Sequence, residues 1–189
     1  MQARMTNPAY VLSGAMKGIG TLFRAIGEGG LAQDVAEMAG LRASQINGCG
    51  PCVHGHVTNL RKAGVSEERI AAVAAWRHAP FFSDAERVAL KLTEAMTRLS
   101  DLSGESVPDA LWDEVADHFD EKELSALILT VSVTNMFNRI NTTIQEPAGT
   151  TWGSRSVRLV RLVGLLRPVR LGRGSVTSGA ECRVMNTSV

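Results

Sequence analysis

Gln45-Ile46-Asn47-Gly48-Cys49-Gly50-Pro51-Cys52-Val53-His54-Gly55-His56 separates two stretches of helical apolar spacing, and the way it stops one and starts the other decides the fold. Before it, Leu31, Val35, Met38, Leu41 and Ile46 follow the period of an amphipathic helix. Asn47-Gly48 predicts a stop, because both residues tolerate the left-handed conformation in which helices end. Pro51 then falls in a first helical turn, where its missing N–H is no loss. The second helix is predicted from about Pro51 to Ala63, with Gly64 as its stop.

Working outward, Ser66 with Glu68 and Arg69 opens a helix that ends before Pro80. Ser83-Asp84-Ala85-Glu86 is a capping box, in which the Ser side chain and the Glu three residues on satisfy each other's backbone N–H. The helix it starts carries Val88, Leu92 and Met96, with Ala89 and Leu99 widening the stripe. Pro108 begins a short helix with Leu111, Val115 and Phe119 along one side. The longest periodic segment runs from Glu121 to about Ile144, with Leu124, Leu127, Ile128, Val131, Phe137 and Ile140 on a broad apolar face. No stretch alternates with turn signals at hairpin spacing, so no sheet is expected and the class is all-α.

Composition sets the outer limits. The 189 residues are 44% hydrophobic and 21% charged, ordinary for a globular chain, and only 5% aromatic, so Leu, Ala, Val and Met must fill the interior. No run approaches the ~18 apolar residues of a membrane span. The polar stretch Met1 to Pro8 lacks the order of a signal peptide, which points to the cytoplasm. Near Pro147-Ala148-Gly149 the character changes, dividing a domain over 1–149 from a tail over 150–189. Seven arginines against the single Glu181 give the tail +6, so the net charge of +1 leaves −5 for the body. The tail reads as a poorly ordered appendage, with a short basic helix through Leu159, Leu162, Val163 and Leu166 as the other reading. Nothing aromatic is interleaved with its arginines, so no nucleic-acid partner is expected.

Three cysteines, Cys49, Cys52 and the distant Cys182, do not make the framework of a small secreted protein. In a reducing compartment the close pair reads as redox-active or metal-binding. A Cys-x-x-Cys pair at a helix N-terminus brings two sulfurs within disulfide reach, and the helix dipole there favours the reactive thiolate. Gly-Pro between the cysteines is also found in thioredoxin, but no strand precedes the motif here. His56 lies four residues after Cys52, one turn along the same face, where an imidazole can take the thiol proton. His54, two residues from Cys52, points elsewhere and reads as a surface histidine. Zinc is the competing reading: Cys49, Cys52 and His56 offer three ligands and His54 a poorly placed fourth, without the second knuckle a structural site uses.

Glu37, Cys49, Cys52 and His56 together form Glu-x11-Cys-x2-Cys-x3-His. With Leu41 to Cys49, Ala63 to Arg69, Phe82 to Arg87, Val107 to Trp112 and Asn135 to Asn141, this pattern resembles the alkylhydroperoxidase D-like, carboxymuconolactone decarboxylase-type family over roughly residues 15 to 149. The resemblance implies an all-helical bundle assembled as a homotrimer or homohexamer. It also implies a thiol peroxidase that reduces small organic hydroperoxides at the expense of a dithiol or protein reductant, with no cofactor and no metal. Cys49 and Cys52 would be the redox pair, and Glu37 and His56 the proton relay. On spacing alone Glu37 would be an ordinary surface acid. Pro51 stands where some members carry a second histidine, so any relay through that imidazole is lost. The decarboxylating branch lacks the cysteine pair, which sets this chain apart from it. Within the pair, Cys52 is expected to deprotonate first, with Cys49 at the exposed edge. A non-catalytic redox-sensing or partner-binding protein is the alternative.

Asn135, Asn138 and Asn141 recur at three-residue spacing and are expected to bond loop backbone or a subunit interface, with a place around the site as the other reading. Met5, Met16, Met38, Met96 and Met136 read as core or interface filler, and Trp76 and Trp112 as partly buried anchors. No role is expected for Cys182.

Overall fold

Helical periodicity on both sides of the cysteine pair is realised in full. A computed structural model describes residues 2–100 and 104–149, and every regular element among them is helical. The elements are α1 (Pro8–Val11), α2 (Ser13–Gly27), α3 (Gln33–Ile46), α4 (Gly50–Lys62), α5 (Glu67–Ala72), a 3₁₀ helix (Val73–His78), α6 (Asp84–Thr97), α7 (Asp109–Ala116) and α8 (Glu121–Ile144). The fold is an all-α bundle, and no described helix is long and apolar enough to cross a membrane. The Arg-rich segment 150–189, with Cys182 and the short basic helix read there, lies outside the described residues.

α3 is the central helix, packed against α4, α6 and α8. Its small residues allow this: Ala39, Gly40 and Ala43 are all buried. Val35 and Ala39 join a core with Val88, Leu92, Leu111, Val115, Leu124, Leu127 and Val131. Met38 and Leu41, on the neighbouring face, join a second with Leu60, Ile70, Val73, Trp76, Phe82 and Leu90. One helix thus serves two cores, which leaves its third side free for polar chemistry.

The helix ends follow local rules. Ser83 and Glu86 make the expected capping box on α6. Asp120 and Glu123 make a second on α8, which an eye tuned to Ser and Thr passes over. α3 closes in a Schellman motif: Cys49 N–H reaches Ser44 O at 3.0 Å, Gly48 N–H reaches Gln45 O at 3.3 Å, and Gly48 takes φ +64°.

Two expectations are corrected. The helix read from Ser66 towards Pro80 breaks into α5 and the 3₁₀ helix, with Ala75 at φ −127°, ψ 34°. Tertiary partners take up the freed carbonyls: Arg42 donates to Ala74 O, and Arg87 to Trp76 O and Ala79 O. The break carries Trp76 into the interior, where Nε1 donates to Glu94 at 2.8 Å. Leu99 lies beyond the end of α6 and is 63% exposed, so it widens no stripe. Of the methionines read as core or interface filler, Met38 is core, and Met5 and Met136 lie at the surface of the chain. α1 and α2 carry little sequence signal: Gly14, Gly18, Gly20 and Gly27 dilute the helix propensity of α2, each at about 1 kcal/mol against Ala.

Candidate active site

The polar side of α3 presents Glu37, Gly40 and Ser44, three and then four residues apart and therefore on one face. The Schellman turn then sets Cys49 as the N-cap of α4, Cys52 in its first turn and His56 one turn further. Cys49 and Cys52 are joined as a disulfide with Cα atoms 5.4 Å apart. Cys49 is fully buried, while Cys52 is partly accessible. The expected exposed edge is thus at Cys52, because the turn folds Cys49 inward beneath Ser44.

Glu37 and His56 meet across the α3–α4 interface, with Glu37 Oε2 2.7 Å from His56 Nδ1. A carboxylate can only accept, so Nδ1 carries the proton and Nε2 of the neutral ring keeps its lone pair. Glu37 Oε1 accepts from Asn59 Nδ2 at 3.0 Å, so both carboxylate oxygens are engaged and the orientation is fixed from two sides. The two side chains retain 19% and 21% exposure, semi-enclosed yet reachable by water. The imidazole lies against the backbone of α3 at Gly40. A Cβ there would stand 2.3 Å from His56 Cε1 and 2.7 Å from Nε2, so Gly40 is the space the ring occupies.

α8 closes the site from the other side. Asn138 donates to Ser44 Oγ at 3.1 Å and accepts from Asn47 Nδ2 at 2.8 Å. Asn47 also reaches Asn135 Oδ1 at 2.9 Å, so two asparagines of α8 pin the turn that leads into Cys49. Asn141, 1% exposed, donates from Nδ2 to Cys52 Sγ at 3.3 Å. The expectation of loop-backbone bonding is therefore corrected for the side chains of Asn138 and Asn141, which bond side chains of the site, whereas Asn135 accepts from Asn47 and donates to the Val131 carbonyl and to Thr97.

Sequence reasoning singled out Glu37, Cys49, Cys52 and His56, and the fold pairs Glu37 with His56 and Cys49 with Cys52. It missed Gly40 and Asn59, which have no sequence signal of their own, read Asn47 only as part of a helix stop, and undervalued Asn141. His54 is exposed and outside the cluster. Among the described residues no group of three or more His, Cys, Asp or Glu side chains is placed to hold a metal ion, and the two sulfurs of the zinc reading are bonded to each other.

Known proteins are similar to this chain in sequence and in fold. The sequence pattern of the carboxymuconolactone decarboxylase family matches residues 15–95. The uncharacterized protein YdfG of Bacillus subtilis is 37% identical over 105 residues, 56% of this chain and 69% of YdfG. The alkyl hydroperoxide reductase AhpD of a Methylobacterium species is 42% identical over 67 residues, though the match spans only 35% of this chain and 36% of that reductase. A crystal structure from Agrobacterium tumefaciens, of a protein of unknown function considered a candidate antioxidant defence protein AhpD, superposes with a TM-score of 0.71. It is 28% identical and is matched over 78% of this chain and 98% of its own. In sequence pattern, in relatives and in fold, the chain belongs to the carboxymuconolactone decarboxylase family, on its alkylhydroperoxidase D-like side.

Proposed function

We propose that the protein is a thiol-dependent peroxidase that reduces small organic hydroperoxides through a dithiol–disulfide cycle of Cys49 and Cys52. The observation that carries this reading is the Glu37–His56 pair, 2.7 Å apart, one helical turn from a cysteine whose partner is already in disulfide contact. Glu37 holds the imidazole with Nε2 as the base, and the α4 N-terminus favours negative charge on Cys52.

In the reduced protein, His56 takes the Cys52 proton. The thiolate, the more accessible of the two sulfurs, attacks one peroxide oxygen. The O–O bond breaks, the sulfur becomes a sulfenic acid and the alkoxide leaves with a proton, which the imidazolium can supply. Cys49 then attacks the sulfenic sulfur, forming the disulfide and releasing water. Two electrons from a dithiol or protein reductant, as a reducing cytoplasm would supply, restore the thiols. No cofactor or metal enters these steps. Self-association, proposed as a homotrimer or homohexamer, has an exposed apolar surface to use in Tyr10 and Val11 of α1, Leu12 between α1 and α2, and Phe23 of α2.

The test is hydroperoxide consumption with a dithiol reductant. His56→Ala and Glu37→Gln should each lose about 10²- to 10⁴-fold in turnover, the range of a positioned acid–base group. A Cys49→Ser protein given one equivalent of peroxide should retain a sulfenic acid on Cys52. If wild type neither consumes peroxide nor closes the disulfide under peroxide, the reading fails.

A further inference from the structure

We propose that Asn141 is a catalytic residue that holds the Cys52 sulfur as its thiolate through a hydrogen bond from its side-chain amide, and that Asn7 is the positioning residue that aims this amide. The inference deepens the peroxidase reading and rests on it for what the thiolate then attacks.

The orientation of an amide is fixed by its partners, and here the chain of partners begins at a group that cannot be turned around. Ala9 N–H, a donor only, is accepted by Asn7 Oδ1 at 3.0 Å as the N-cap of α1. That places the amino group of Asn7 on the other side, where Nδ2 donates to Asn141 Oδ1 at 3.2 Å. Asn141 must then present its own amino group to Cys52 Sγ, at 3.3 Å. A flipped Asn141 would face amino group to amino group at Asn7 and carbonyl to sulfur. Both amides are buried, Asn7 at 6% exposure and Asn141 at 1%, so water offers no cheap alternative partner.

The N-terminal segment is held where this chain requires it. Arg4 N–H reaches Ile144 O at 2.8 Å, and Arg4 Nη1 reaches Thr143 O at 3.2 Å, so the segment is tied to the last turn of the helix that carries Asn141. Asn7 and Asn141 are 134 positions apart, and the fold brings the two buried amides into direct contact. A hydrogen bond to a charged acceptor is roughly twice as strong as one to a neutral acceptor, so an amide aimed at sulfur favours thiolate over thiol. Cys49 lacks such a donor among the contacts of these asparagines, so the device selects Cys52.

The experiment is a thiol titration of full-length Cys49→Ser protein, following iodoacetamide alkylation against pH on the tryptic peptide Ala43–Arg61, in which Cys52 is then the only thiol. Cys52 should titrate below the ordinary thiol value of about 8.5. Asn141→Ala should raise the midpoint by about one pH unit, a tenfold loss of acidity. Asn7→Ser keeps an α1 cap but cannot reach Asn141, and should raise the midpoint by about half a unit, roughly threefold, with unchanged helicity. The proposal is overturned if Cys52 titrates at or above the ordinary value when Asn7 and Asn141 are intact, or if neither substitution moves its midpoint. The titration uses no peroxide, so it reads this contact whether or not the reduced pair turns over a hydroperoxide.

Discussion

Gly40→Ala adds one methyl group at a point where the helix backbone itself would welcome it. Alanine gains about 1 kcal/mol over glycine in a helix interior. The added Cβ would stand 2.3 Å from His56 Cε1 and 2.8 Å from Nδ1. Restoring an ordinary carbon contact of about 3.5 Å requires the ring to retreat by about 1.2 Å. His56 Nδ1 sits 2.7 Å from Glu37, so such a retreat either breaks that hydrogen bond or turns Nε2 away from where Glu37 holds it. Overpacking of this kind costs about 1–3 kcal/mol, partly offset by the propensity gain. The net loss is at most about 2 kcal/mol, or a Tm lower by no more than about 8 °C for a chain of this size. A displacement of about 1 Å in a catalytic group costs about 10²-fold in rate. The expected protein is therefore folded, slightly less stable and about a hundredfold slower in dithiol-supported peroxide consumption. Calorimetry and steady-state kinetics on the same preparation check both halves. A folded Gly40→Ala protein with turnover within threefold of wild type would show that the ring position is not what the glycine protects.

Other perturbations separate support from structure. Asn59→Ala leaves one Glu37 oxygen without its donor and should lower turnover several-fold while moving Tm by only a few degrees, as the amide is on the half-buried side of α4. Burial opposes ionisation of Glu94, but the hydrogen bonds from Trp76, Arg77 and Arg42 outweigh it and hold the carboxyl below its usual range. A lowered folded-state pKa stabilises above the unfolded value of about 4.3, and that stabilisation is lost as pH falls through the folded one. The Tm difference between wild type and Glu94→Gln should therefore be largest near neutrality and close on acidification below about pH 4; a difference independent of pH would refute this. Gln145 holds φ +55° at the end of α8, a conformation glycine adopts without strain, so Gln145→Gly should raise stability by about 1 kcal/mol in a denaturant titration.

What could be read in advance follows from range. α8 was legible from Glu121 to Ile144 because its apolar positions recur for six turns, and α6 because a capping box is a four-residue signal. α2 was not, since its glycines weaken propensity and no residue of it is buried. The break at Ala75 depends on Arg42 and Arg87, which are sequence-distant from the carbonyls they rescue. The site divides in the same way. Cys52 and His56 share one helix, so their relation is local, and Glu37 entered through family resemblance. Gly40 and Asn141 act through contacts with other helices, and a sequence read alone carries no mark of which glycine faces a ring or which amide faces a sulfur.

The placing of Glu37, Gly40 and Ser44 on one face of α3 makes chain length itself part of the chemistry. Between Glu37 and Cys49 the chain is helix followed at once by its closing turn, with no slack segment to absorb a change. One inserted or deleted residue there would rotate Glu37 by about 100° around the helix axis and shift it by about 1.5 Å relative to the cysteine turn. The carboxylate would then face a core instead of the imidazole. The eleven residues between the acid and the first cysteine are thus a ruler rather than a spacer. Insertions can accumulate in the surface stretch around Gly104 and Glu105, where the residues are exposed, but not within 37–56 without dismantling the pair.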